Sequence, residues 1–89
     1  MKHFNITVIG HVQGIGYRWQ AQKKATFLGL KGFIENRPDA TVYIEVEGKP
    51  EKLKDFIEWC KSGPSNAVVH DLQIDECELK EYTHFHIRH

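Results

Sequence analysis

The 89-residue sequence predicts an α+β domain with its elements in the order βαββαβ and a late extra strand. Three observations carry that prediction. Apolar and polar residues alternate with period two near the N-terminus and again from residue 42. Two other stretches place their apolar residues at helical spacing instead. Glycine and proline sit at the joints between these stretches, where chains turn.

Taken in order, Phe4, Ile6 and Val8 alternate with Asn5 and Thr7, a half-buried strand that ends at Gly10. A connection bearing Gly10, Gly14 and Gly16 follows. A helix then runs from Tyr17 or Arg18 to Leu28, with Tyr17, Ala21, Ala25 and Leu28 on one face and Gly29 as its stop. Gly32 to Asn36 reads as a second strand, and Arg37-Pro38-Asp39-Ala40 as a turn. Val42, Ile44 and Val46 alternate with Tyr43, Glu45 and Glu47 in a third strand, and the two glutamates are expected to face solvent. Pro50 suits the first turn of a second helix, because its missing N–H would be unpaired there anyway. Leu53, Phe56, Ile57 and Cys60 form that helix's apolar stripe, and Gly63-Pro64 breaks it. Val68, Leu72 and Ile74 belong to a fourth strand, Phe85 and Ile87 to a last one. The pattern fits a split β-α-β arrangement: a ferredoxin-like sandwich whose antiparallel sheet carries two helices on one face. No repeat or linker divides it, so residues 1–89 are read as one domain. The fold by itself does not name a function.

Composition narrows the classes. Apolar residues make up 40% and charged residues 27%, as in an ordinary globular domain. The formal net charge is zero, which argues against a nucleic-acid partner. Cys60 and Cys77 form no metal-spaced set, and Cys60 falls on an apolar stripe as a core residue would. The N-terminus lacks the apolar stretch of a secretory signal, and no run approaches the roughly 20 residues of a membrane span. The expectation is a cytoplasmic monomer with no membrane partner. His84 and His86 share a strand face with Arg88, but an H-x-H pair without a third ligand reads as a solvated face. Trp19, Phe27 and Trp59 read as packing residues.

Chemistry concentrates in Gly10-His11-Val12-Gln13-Gly14-Ile15-Gly16-Tyr17-Arg18, between a strand and a helix start. The first amides of a helix have no internal partners, and its dipole favours an anion there. Glycines let successive N–H groups converge on a phosphate, and an arginine fork matches phosphate oxygens. On spacing alone, the same segment reads more readily as an ordinary glycine loop with a solvated arginine than as an anion site. A P-loop lysine is missing, position 19 is Trp where a dinucleotide fingerprint needs Gly, and Val12 stands where a Cys-x5-Arg phosphatase needs its thiol. With no nucleophile in the loop, phosphate chemistry here must use water. Asn36, read alone, is a residue that starts a turn before Arg37-Pro38.

The string VIGHVQGIGYR resembles the acylphosphatase signature V-x-G-x-V-Q-G-V-x-F/Y-R. ATFLGLKGFIENRPDATV, from Ala25 to Val42, resembles the second signature of that family, and Gly63-Pro64 and Phe85-His86-Ile87-Arg88 resemble its C-terminal half. The likeness spans nearly the whole chain. It implies an acylphosphatase: a hydrolase that splits acyl phosphates into carboxylate and inorganic phosphate without metal or cofactor. The catalytic residues it implies are Arg18 and Asn36, and the phosphate-binding loop is His11, Val12, Gln13, Gly14, Ile15, Gly16, Tyr17 and Arg18. Gly16, Phe33 and Ala40 depart from the common pattern, Ala40 by replacing a glycine after Asp39. Two other readings are an accessory domain, such as those opening hydrogenase-maturation carbamoyltransferases, and an RNA-binding ferredoxin-like module. The chain stops at 89 residues, as expected of a free-standing enzyme, and lacks the paired strand aromatics of an RNA binder.

The leaving group explains why so few residues suffice. Carboxylic acids have pKa values of about 4, so the carboxylate departs without a proton from the enzyme. Positioning and charge neutralisation remain, and these dominate phosphoryl transfer.

Overall fold

A computed structural model describes residues 1–89. Strands β1 (Lys2–His11), β2 (Lys31–Asn36), β3 (Val42–Gly48), β4 (Val68–Cys77) and β5 (Phe85–Arg88) form one sheet in the order β4-β1-β3-β2-β5. Helices α1 (Tyr17–Phe27) and α2 (Pro50–Ser62) pack on one of its faces. Alternation decides which face. Ile6 and Val8 of β1, Ile34 of β2, and Val42, Ile44 and Val46 of β3 all point inward. They meet Tyr17, Ala21 and Ala25 from α1, and Leu53, Phe56 and Cys60 from α2. Burying these side chains supplies the main driving force, about 1.5–3 kcal/mol for each large one.

Four strands pair antiparallel as expected, but β5 joins β2 in parallel. The chain path explains the difference. From the end of β4, residues 78–84 cross the open face of the sheet at one end, so the chain reverses direction before β5. A strand antiparallel to β4, laid beside β2, must run parallel to β2.

That crossing also corrects the expected exposure of two glutamates. Glu47 is 3% exposed, because the amides of Lys80 and Tyr82 donate to its carboxylate at 2.9 and 2.7 Å. Glu45 is half-buried beneath the hydroxyls of Tyr43 and Tyr82. A second correction concerns β4. A bulge between Ile9 and Gly10 shifts the register, so Val69 and Leu72 pack on the core while Val68 is 51% exposed. Trp59 packs against Tyr17 and Phe56 as expected, whereas Trp19 and Phe27 are 56% and 84% exposed. Each lies two residues from an inward residue, Tyr17 and Ala25, which on a helix is roughly the opposite side.

Candidate active site

β1, β2 and β5 run in one direction, so their C-terminal ends, His11, Asn36 and Arg88, lie at the same end of the sheet. α1 begins there too. A cavity of about 130 Å³ opens between the β1–α1 connection and the ends of β2 and β5.

The connection is built to leave its amides free. Gly14 and Gly16 hold left-handed conformations, with φ of 74° and 82°. An added Cβ would meet nothing within 4 Å at either position. The demand for glycine is therefore conformational, since an L side chain in that region costs roughly 1–2 kcal/mol. Gly16 caps α1 without any side-chain hydrogen bond. The amides from Val12 to Trp19 donate to no backbone carbonyl, and they stand at the positive end of the helix dipole.

Neighbouring contacts hold this loop in place. The Gln13 Nε2 donates to the carbonyls of Arg37 and Thr41, both at 2.8 Å, tying the loop to the turn after Asn36. Asp39 stiffens that turn by accepting from the Thr41 hydroxyl at 2.6 Å and the Thr41 amide at 3.1 Å. Those same two bonds, the hydroxyl's first, hold its carboxyl below the usual carboxylate range. The buried Tyr17 hydroxyl donates to the Cys60 carbonyl at 2.9 Å, locking the first turn of α1 to the last turn of α2. Burial pushes the Tyr17 phenol far above its ordinary value and the Cys60 thiol up to about 12, so both stay neutral.

Two side chains enter the cavity with bonding capacity to spare. The guanidinium of Arg37 pairs with Glu35 at 3.4 Å and lies over Tyr43, and that of Arg88 lies 3.6 Å over Phe33. Arg18 has neither a carboxylate nor a ring. Its single side-chain hydrogen bond is a long one, from Nη1 to the Arg88 carbonyl at 3.4 Å. Asn36 closes β2 on the inward face, two residues beyond Ile34. Its Oδ1 is buried and accepts no hydrogen bond. An orphaned acceptor costs about 1–3 kcal/mol, so a water or ligand donor placed there would satisfy it.

The cavity therefore brings together Val12, Gly14, Gly16, Tyr17, Arg18 and Asn36 from the residues named in the sequence. The others stand back from it. His11 is the exposed last residue of β1, paired with Val68. The Gln13 side chain turns toward residues 37–41, and Ile15 packs against the core. Trp19, Ile87 and His89 complete the lining and were not foreseen. The register that pairs Ile34 with Ile87 could have indicated the last two, had the parallel placement of β5 been known. No group of three His, Cys, Asp or Glu side chains is arranged to hold a metal ion.

Comparison with known proteins bears on the family and the fold. The acylphosphatase family model matches residues 4–87. An acylphosphatase of Marinobacter nauticus is 40% identical over 90 residues, covering 100% of this chain and 98% of its own. The crystal structure of acylphosphatase from Bacillus subtilis superposes with a TM-score of 0.97 at 34% identity, covering all of both chains. Full-length HypF, crystallised in a phosphate- and nucleotide-bound form, matches at 36% identity with a TM-score of 0.92, over 99% of this chain and 12% of its own. The chain belongs to the acylphosphatase family, whose members hydrolyse acyl phosphates.

Proposed function

We propose that the cavity at the start of α1 is where this acylphosphatase hydrolyses its substrate, with Arg18 and the loop amides holding the phosphoryl group and Asn36 holding the attacking water. The observation that carries the reading is the buried, unpaired Asn36 Oδ1 in one cavity with an arginine that has no carboxylate.

The roles follow from what each group can donate or accept. Free amides and a guanidinium are all donors, suited to phosphoryl oxygens whose charge must be gathered. The Asn36 Oδ1 is an acceptor, suited to one O–H of a water. The water oxygen attacks phosphorus, the bond from phosphorus to the bridging oxygen breaks, and the electron pair leaves with the carboxylate. Asparagine is too weak a base to keep a proton, so the water's proton passes to a phosphoryl oxygen. The products are a carboxylate and inorganic phosphate. Glycines at 14 and 16 favour the cradle before substrate arrives, so little reorganisation is required at the moment of reaction.

Residues 1–89 act as one catalytic unit, a monomer that works in the cytoplasm. Both cysteines are free thiols, which suits a reducing compartment. No helix is long and apolar enough to cross a membrane. The deciding experiment is hydrolysis of benzoyl phosphate by the purified protein with EDTA present, alongside sedimentation to weigh the particle. Steady release of benzoate and phosphate is expected. Loss of activity in EDTA and its return with a divalent ion would overturn the reading.

A further inference from the structure

The cavity lining sorts into three sets by what each can contact. Val12 and Tyr17 are each 1% exposed and form its floor. Gly14, Gly16, Arg18 and Asn36 offer donors and one acceptor to a phosphoryl group and a water. What remains stands at the opening, and its largest apolar surface is the Trp19 indole, 56% exposed. The side chain plays no part in the core, since it projects from the face of α1 opposite Tyr17 and Ala21. It is nevertheless held in place. The Lys23 ammonium lies 4.6 Å from the ring centroid, one helical turn further on, a cation–π contact that restrains the indole.

If the cradle takes the phosphoryl group, the acyl carbon must lie on the side of the bridging oxygen away from the amides, toward the opening. We propose that Trp19 is the specificity-determining contact for the acyl half of the substrate, so that acyl phosphates with an aromatic or bulky apolar acyl group are favoured over acetyl phosphate. This rests on the reading of the cavity as the phosphoryl site. Both leaving groups are carboxylates of similar basicity, so the chemistry at phosphorus gives little discrimination. Binding of the acyl body supplies it. A planar ring laid on a restrained indole loses water from both surfaces and gains an aromatic contact, whereas a methyl group covers little of either.

The test is the ratio of kcat/KM for benzoyl phosphate to that for acetyl phosphate, measured for the wild type, Trp19→Ala and Trp19→Phe. Forming the ratio within each variant cancels differences in the intrinsic reactivity of the two substrates. The wild type should favour benzoyl phosphate. Trp19→Ala should reduce the ratio about tenfold, through a higher KM for benzoyl phosphate with kcat nearly kept. Trp19→Phe should restore most of it, because the ring face is what counts. Competitive inhibition by inorganic phosphate, which has no acyl half, should shift far less than the benzoyl phosphate KM. An unchanged ratio in folded Trp19→Ala overturns the subsite and leaves the phosphoryl site standing. A wild type inert toward both substrates removes the phosphoryl site, and the subsite with it.

Discussion

Two polar regions of this small protein are built from similar materials and finished in opposite ways. At the β1–α1 end, amides and a buried amide oxygen are left without protein partners, and a guanidinium keeps only one long hydrogen bond. On the open face of the sheet at the other end, His3 is fully buried and almost everything around it is paired. Its Nδ1 shares a hydrogen bond with Glu47 Oε2 at 2.8 Å, and its Nε2 lies 2.8 Å from Asn5 Oδ1 and 3.3 Å from Glu45. Asn5 in turn reaches Cys77, and both glutamates are held by the segment crossing above them. A satisfied network rigidifies a fold. An unsatisfied one keeps its donors and acceptors for a ligand. Burial and polarity alone would rank the two alike; the partner count separates them.

The largest break in that comparison should come from Arg18. Arg18→Gln removes the one cation of the cradle without a carboxylate or aromatic partner. Turnover should fall by about 10³-fold or more, the scale at which a transition-state arginine acts in phosphoryl transfer. Phosphate should also bind more weakly in a titration. Arg18→Lys should recover little, since a point charge lacks the two-pronged fork. Asn36→Ala should come next, lowering kcat by about 10²–10³-fold, roughly 3–4 kcal/mol, while phosphate affinity changes little. Steady-state kinetics with circular dichroism as a folding check separates the two roles. Near-normal turnover in folded Asn36→Ala would return that residue to a turn former.

The open-face cluster should answer in the other currency. Burial pushes the Glu47 carboxyl up, but the Lys80 amide, the His3 ring and the Tyr82 amide outweigh it and hold it below its ordinary value. A depressed carboxyl contributes stability that is present above its unfolded pKa and lost as pH falls through the folded one. Urea melts of the wild type should therefore weaken below about pH 4.5, near the ordinary glutamate value. Glu47→Gln should cost about 3 kcal/mol at neutral pH, because it leaves buried partners mismatched. It should also flatten the acid limb of the stability curve. Its kcat should stay at the wild-type value. A loss of turnover in a folded Glu47→Gln would show that the two ends of the sheet are coupled.

How far the sequence foretold these regions depends on the range of the forces involved. Strands and helices were readable because alternation and helical spacing are local, and their inward residues from Ile6 to Cys60 follow them, while Val12 and Leu30 join the core from the connections. Arg18 and Asn36 were singled out through the resemblance of two dense motifs, and the structure brings both to one cavity. The Glu47 network was not, because no periodicity says that residues 78–84 will fold back over the sheet. Trp19 and Phe27 were misjudged by weighing hydrophobicity without helical phase. The cavity's Ile87 and His89 depend on a parallel pairing 53 residues away in sequence, Ile34 with Ile87, which only the assembled sheet reveals.

The smallest expected effect compares the two turns that frame the cavity. Both need a left-handed residue: Gly16 has φ of 82°, and Ala40 has φ of 73°. Glycine meets the demand at the first. At the second, alanine carries a strain of roughly 1–2 kcal/mol, in the turn that follows Asn36. The turn tolerates it because the Ala40 amide donates to the Arg37 carbonyl at 3.1 Å and Asp39 grips Thr41 on its other side. Ala40→Gly releases the strain but gives the unfolded chain more freedom, which offsets about 0.4–1 kcal/mol. The net should be a gain of about 0.5–1 kcal/mol in a denaturant melt, with kcat within about twofold of the wild type. Gly16→Ala should move the other way, losing a similar amount of stability and weakening phosphate binding with it, because there the strained residue belongs to the cradle. If Ala40→Gly instead lowers kcat while raising stability, the rigidity of that turn is part of what aims Asn36, and the alanine is a positioning residue that acts through its backbone.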